Sequence, residues 1–206
     1  MKSESLVFAV AGMFFGLIAG WLIGSQQASS RPAPPAAQQA AAPQGGGSGS
    51  PGAAQAPPRL DEGEAQRLAD IAQKDPSNAT PRTQLGNLYF DAEQYNQAIT
   101  WYEQALKLNP KDPTVSTDLG VAYYYTNQPD RALSQFDASL AIDPAHIKTL
   151  LNVGIVRAFG KQDLAGAAKA WEQVVALSPG SVEGQAAKKG LEGLKNAHPE
   201  AGAGGK

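Results

Sequence analysis

The sequence predicts an all-α fold: a solenoid of three helix hairpins with a flanking helix at each end, preceded by one N-terminal transmembrane helix. Three observations carry the solenoid. Leu85-Gly86-x-x-Tyr89 recurs as Leu119-Gly120-x-x-Tyr123 and, weakened, as Val153-Gly154-x-x-Arg157, so Gly86, Gly120 and Gly154 fall 34 residues apart. A small residue and an aromatic follow each glycine: Ala98 and Tyr102, Ala132 and Phe136, Ala167 and Trp171. Pro110, Pro144 and Pro179 close the units, and the last interval is 35. One residue is therefore inserted in the third unit, and the turn between Phe159 and Leu164 is the expected place. A fixed period in this range marks stacked units that bury a core only against their neighbours.

The spacing has a physical cause. Small residues where helices cross let two backbones approach, which offsets the helix penalty of glycine, about 1 kcal/mol against Ala. Tyr89, Tyr102, Tyr123, Phe136 and Trp171 then fill the space between hairpins. Each proline lacks the backbone donor that a continuing helix needs. This pattern resembles the tetratricopeptide repeat (TPR), in which a Leu-Gly pair and a Tyr on one helix precede Ala, an aromatic and Pro on the next. The resemblance covers residues 79–181, about half the chain. It implies a right-handed superhelical solenoid whose first helices line a concave groove.

In chain order, residues 6–23 (LVFAVAGMFFGLIAGWLI) are uncharged and apolar, and eighteen such residues are about the minimum for a bilayer-spanning helix. Residues 1–29 are read as a retained single-span anchor. A cleaved signal is the alternative, since Ala28-Ser29-Ser30 could serve as a cleavage site, but signal apolar regions run only about 7–15 residues. Lys2 and the α-amino group, offset by Glu4, against Arg31 lean toward a cytoplasmic N-terminus. Gly12, Gly16, Gly20 and Gly24 recur every fourth residue along one side of that helix. They resemble a glycine-zipper packing face, which would make the chain a homo-oligomer through its transmembrane helix. Glycine is also simply common in membrane helices.

Residues 30–58 are Ala, Pro, Gln, Gly and Ser with Arg31 as the only charge, and no apolar face to bury. The expectation is a disordered tether reaching roughly 30 Å. Residues 59–78 predict a flanking helix with Leu68 and Ile71 on its inner face and Asp61, Glu62 and Glu64 in its first turn. Repeats follow at 79–112, 113–146 and 147–181, with paired helices at 79–92 and 95–108, 113–126 and 129–142, and 147–159 and 164–177. Ser181 is placed to cap a last helix, 182–195, that turns Val182, Ala186, Leu191 and Leu194 inward; Gly184, Gly190 and Gly193 weaken it. A solenoid needs such a helix to cover its last repeat. Residues 196–206 read as a disordered tail.

The chain has no Cys, which excludes disulfides, thiolate metal sites and a lipidated cysteine anchor. Its net charge of −2 gives no footprint for nucleic acid. The two histidines, His146 in a turn and His198 in the tail, have no nucleophile or metal partner in sequence. No catalytic, metal or cofactor site is expected.

What remains is the groove. In TPR register its lining comprises Asn87, Phe90 and Asp91, then Thr117, Val121, Tyr124 and Tyr125, then Lys148, Leu151, Asn152, Ile155 and Phe159. Tyr123 matches the buried tyrosine of the repeat; Tyr124 and Tyr125 are surplus to that role and are candidate anchors, since aromatics are favoured in binding surfaces. Packing between first helices is the alternative use for them. Some members of the family clamp a peptide's terminal carboxylate. Asn87 and Lys148 match that arrangement, but Thr83, Asp118 and Asn152 stand where Lys, Asn and Arg are needed, so the clamp is expected to be absent.

The sequence thus reads as a membrane-anchored TPR scaffold for a protein or peptide. It has the look of a bacterial inner-membrane protein with its repeats in the periplasm, similar to the anchored repeat proteins of cytochrome c maturation. The alternatives are a membrane-oligomerising structural protein using the glycine face, a soluble secreted TPR protein after signal cleavage, and a mitochondrial outer-membrane receptor, against which the missing clamp argues.

Overall fold

Eight helices, and no strand, make up the described residues of the computed structural model, 59–197. The predicted anchor with Gly12, Gly16, Gly20 and Gly24, the linker, and the tail with His198 lie outside them. No helix among the described residues is long and apolar enough to cross a membrane.

The helices are α1 (Glu62–Lys74), α2 (Thr80–Asp91), α3 (Tyr95–Leu108), α4 (Pro113–Tyr125), α5 (Pro129–Ile142), α6 (Ile147–Ile155), α7 (Leu164–Leu177) and α8 (Val182–Ala197). Their starts are chemically marked. Asp61 accepts from the Glu64 amide at 2.9 Å, Asp112 from Thr114 and Val115 at 3.1 and 3.0 Å, and Asp163 from Gly166 at 2.8 Å. Ser181 Oγ takes the Gly184 amide at 2.9 Å, which is the cap expected for the last helix. Each such cap satisfies amides that the helix itself cannot, typically stabilising it by about 1 kcal/mol. The ends come two residues before Pro76, Pro110, Pro144 and Pro179.

Consecutive helices pack in antiparallel pairs, with α4 against both α3 and α6 and α6 also against α8. The small-residue crossings hold in all three hairpins. A Cβ built on Gly86, Gly120 or Gly154 would lie within 3.0 Å of ring atoms of Tyr102, Phe136 or Trp171 respectively. Ala98, Ala132 and Ala167 are fully buried opposite. The central core joins Ala98, Tyr102, Ala132 and Phe136 to Ile99, Val115, Leu119, Ala122, Tyr123 and Val156.

Five expectations are corrected. The inserted residue is not in the turn. The three turns stay three residues long, each with one left-handed residue in the middle: Glu93 (φ 58°), Asn127 (φ 59°) and Gln162 (φ 56°). The extra residue is absorbed before the turn, in a π-helical turn at Val156–Gly160, closed by the Lys161 amide on the Val156 carbonyl at 3.0 Å. A helix end accepts one more residue by widening, whereas the turn has a fixed backbone recipe.

Ile71 is 36% exposed, because Ala65, Leu68 and Ala72 already define the inner stripe of α1. Val182 is 39% exposed; in α8 it is Gly184, Ala186 and Ala187 that face inward. Gly190 does not simply weaken that helix, since a Cβ there would press within 3.0 Å of the Trp171 ring. Finally, Thr117 is 3% exposed and turns into the core instead of lining a groove.

Thr117 belongs to a buried polar cluster with no counterpart in the sequence reading. Its hydroxyl meets the Pro113 carbonyl at 2.7 Å and Thr149 Oγ1 at 2.6 Å; Thr149 in turn meets Ser139 Oγ at 2.9 Å and His146 Nδ1 at 2.6 Å. Ser139 also donates to the Pro113 carbonyl at 2.8 Å. Three hydroxyls and an imidazole thus tie α4, α5 and α6 together. Desolvation holds the His146 pKa below its ordinary value, chiefly against the opposing pull of Asp143.

Candidate functional site

The predicted lining residues fall into three groups. Leu151 is 1% and Ile155 8% exposed, so both pack in the core and offer no surface to a ligand. Both lie on α6, which is short and packed against α4, α7 and α8. Val121 and Tyr124 are half-buried and packed on the central core. A Cβ on Gly160 would lie 3.0 Å from Tyr124 Cε2, so the π-helical turn covers one edge of that ring.

The remaining residues keep accessible surface. Asn87 is exposed and accepts a hydrogen bond from the buried Tyr102 hydroxyl at 2.8 Å. Lys148 and Asn152 are half-buried; the Asn152 amide donates to the Lys148 carbonyl at 2.9 Å. Phe159 is 39% exposed.

Phe90 and Tyr125 are brought together, and the structure adds Tyr95. Tyr95 and Tyr125 stack with centroids 4.6 Å apart and planes at 11°; Phe90 meets both edge-on, at 5.2 and 5.7 Å. This trio bridges the ends of α2 and α4 and the start of α3. Offset and T-shaped pairs of this kind are worth about 0.5–1.5 kcal/mol beyond area burial. Burial raises the Tyr125 and Tyr124 phenols above their ordinary pKa. Sequence reasoning missed Tyr95 because it lies outside the repeat pattern; Pro129 and Leu164 begin the corresponding helices.

Asp91 follows Phe90 directly in the chain, and a second carboxylate, Asp118, lies on α4. Asp118, half-buried in the middle of α4, is crowded enough that desolvation pushes its pKa up to about 7. Lys148 pulls the other way, and Asp112 and Asp91 add to the rise. Asp91, exposed at the end of α2, is also raised by desolvation. Both carboxylates are felt by the Tyr102 hydroxyl, whose pKa burial drives well up.

The face thus offers aromatic edges, amides and two carboxylates whose pKa values are raised. Among the described residues no cluster of His, Asp and Glu is placed to hold a metal ion. A shallow pocket lined by Gln66, Asp70, Gln73, Arg82, Trp101 and Gln104, between α1, α2 and α3, contains none of the predicted site residues.

Residues 86–127 match the family model for the TPR repeat. No curated protein matches the sequence. Among solved structures, MamA is similar at 18% identity with a TM-score of 0.61, covering 67% of this chain and 78% of its own. The first TPR of Spaghetti (RPAP3), bound to the HSP90 peptide SRMEEVD, is similar at 27% identity and a TM-score of 0.55, over 61% of this chain and 97% of that one. The Sgt2 TPR domain from Aspergillus fumigatus is 27% identical with a TM-score of 0.54, over 62% and 83%. The match to the TPR repeat thus covers residues 86–127, and the described residues have the helical fold of these solved structures.

Proposed function

We propose that these TPR hairpins are the working part of a membrane-anchored scaffold that holds a protein or peptide segment on the face of its first helices. The observation that carries the reading is the accessible rim of that face. Asn87, Phe90, Tyr125, Lys148, Asn152 and Phe159 keep surface there, whereas the crossings behind them are closed by glycine and alanine. The similar first TPR of Spaghetti is bound to a peptide, which supports the same use here. Aromatic anchors with a few surrounding amides suit an extended or helical segment.

The apolar run at 6–23 supports a single-span anchor, and a periplasmic position beyond a bacterial inner membrane fits its flanking charges. Presentation of a chain during envelope assembly, as in cytochrome c maturation, is one version of this role. A photo-cross-linking residue at Phe159, in the full chain in its native membrane, tests the reading. A discrete adduct is expected there and not from Asp137 on the second helix α5. Equal labelling at both positions would refute it.

A further inference from the structure

We propose that the shallow pocket between α1, α2 and α3 is a further docking site, which takes a proline-rich segment of a partner protein in the polyproline II form and receives its carbonyls on Trp101, Gln73 and Gln104. The pocket shares no residue with the lining of the scaffold reading above, so the two stand or fall separately.

The starting point is a contrast between two tryptophans. Trp171 is 2% exposed, and its indole N–H donates to the Leu151 carbonyl at 3.1 Å. Trp101 is half-buried against Ala65, Leu68 and Leu85, yet among the described residues its N–H has no acceptor. A packed tryptophan usually finds a partner for that donor, and a ring with one side packed and one side wet is characteristic of interfaces. The repeat does not demand a tryptophan here. The later second helices carry Gln135 and Ala170 at the same register.

The other polar groups of the pocket narrow the ligand. Its volume is about 360 Å³, toward the small end of ligand sites. Its charges are already engaged. Arg82 donates to the Asn78 and Ala72 carbonyls at 2.7 and 3.1 Å, and Asp70 accepts from the Gln66 amide at 2.8 Å. What stays open is neutral: the Trp101 N–H and the side-chain amides of Gln73 and Gln104. None of the three has a partner among the described residues, and none is sealed off from solvent. The pocket therefore answers to main-chain carbonyls and not to an ionic group.

Of the common ways to hold a peptide, one uses such donors. No strand edge exists among the described residues to be extended by another strand. A helical segment spends its carbonyls internally, and an acidic motif wants a cluster of free arginines, whereas Arg82 is alone and engaged. A polyproline II segment has no internal hydrogen bonds, so its carbonyls are open to donors, and its low conformational freedom reduces the entropy lost on binding. The dimensions agree. Gln66 and Gln73 lie seven positions apart along α1, about 10 Å of helix axis. Three residues of polyproline II cover about 9 Å.

The test uses the full-length chain, kept in detergent because of its apolar N-terminal run, with its tryptophans labelled with nitrogen-15. Blocked decaproline is the probe. The indole N–H signal that disappears in Trp101→Phe belongs to Trp101; it should shift saturably on titration, while that of Trp171, whose donor is taken, holds still. By calorimetry, Trp101→Phe and Gln104→Leu should each weaken decaproline on the order of fivefold, and Asp137→Asn on α5 should not. Helicity by circular dichroism accompanies each variant, and Gln104→Leu keeps the question open to measurement if Trp101→Phe loses its fold. Absence of saturable binding, equal binding of a blocked Gly-Ser peptide of the same length, or undiminished binding by both variants would overturn the proposal. Chitohexaose bound at these residues in place of decaproline would overturn the peptide assignment in favour of a glycan. The cross-link at Phe159 tests the scaffold reading independently of all these outcomes.

Discussion

Replacing Gly120 with alanine adds one methyl group where there is no room for it. The new Cβ would lie within 3.0 Å of two ring carbons of Phe136 and 3.2 Å from the Ala132 carbonyl oxygen. Carbon atoms in contact normally sit about 3.5–4.0 Å apart. Phe136 is fully buried and Ala132 is backbone on the facing helix, so neither can move aside cheaply. The relief must come from separating α4 and α5, the central hairpin. Overpacking of this kind costs about 1–3 kcal/mol, and so short an approach belongs at the upper end. Against it stands the better helix propensity of alanine, about 1 kcal/mol. The net expectation is a loss of about 2 kcal/mol, or a melting temperature lower by roughly 5–10 °C for a domain of this size. Gly193→Ala is the internal control. Nothing lies within 4 Å of a Cβ there, so only the propensity gain of up to about 1 kcal/mol remains and the melting temperature should rise. Thermal unfolding followed by far-UV circular dichroism reads both. If Gly120→Ala melts at or above wild type, the crossing is not close-packed and the assignment of the repeat register fails.

Thr149→Val keeps the volume but removes the hydroxyl shared by Thr117, Ser139 and His146, and should cost about 1–3 kcal/mol; denaturant unfolding with no change in midpoint would show the cluster to be dispensable. Asp118 has a folded-state pKa raised to about 7 from 3.8, so its contribution is complete below the lower value and is lost as pH rises through the upper one. Asp118→Asn should therefore gain stability relative to wild type as the pH is raised from about 5 to about 8, and a pH-independent difference would refute this. His146 works in the opposite sense: its pKa is depressed, so its contribution is present above 6.5 and is lost as pH falls below that. Asp118→Asn should for that reason still lose stability at acid pH. Mass spectrometry of the mature N-terminus should find the 6–23 run retained; a chain beginning near Arg31 would mean that it is cleaved.

The helix boundaries were legible because each unit repeats the same three local statements: a glycine at the crossing, a small residue facing it and a proline after it. Those are backbone requirements, and they leave the same trace in every copy. The position of the inserted residue was not legible, because a widened helix end and a longer turn produce the same interval between prolines. Only the left-handed Gln162, in register with Glu93 and Asn127, shows that the turn is intact. Ile71 and Val182 were misplaced for a different reason: apolar character alone does not say which side of a short helix already has enough to bury. The proposed lining positions could be assigned to helices from the sequence, but not their depth. Leu151 and Thr117 occupy lining positions in the repeat register, yet neighbouring helices cover them. Asp118 was visible only as a mismatch to a known clamp; its half-buried position in the middle of α4 follows from packing that no local pattern records.

The π-helical turn at Val156–Gly160 acts on the array as a dislocation acts on a crystal. Before it, any residue can be superimposed on its copy by counting 34; after it, the count is out of phase by one. A whole unit inserted ahead of Ile147 would meet identical neighbours on both sides, so the array can grow there. A unit inserted behind Gly160 would meet a neighbour whose phase has slipped, and whose next helices, α7 and α8, are closed over Trp171 by Gly190. The single extra residue therefore divides the solenoid into an extensible stem and a fixed terminus.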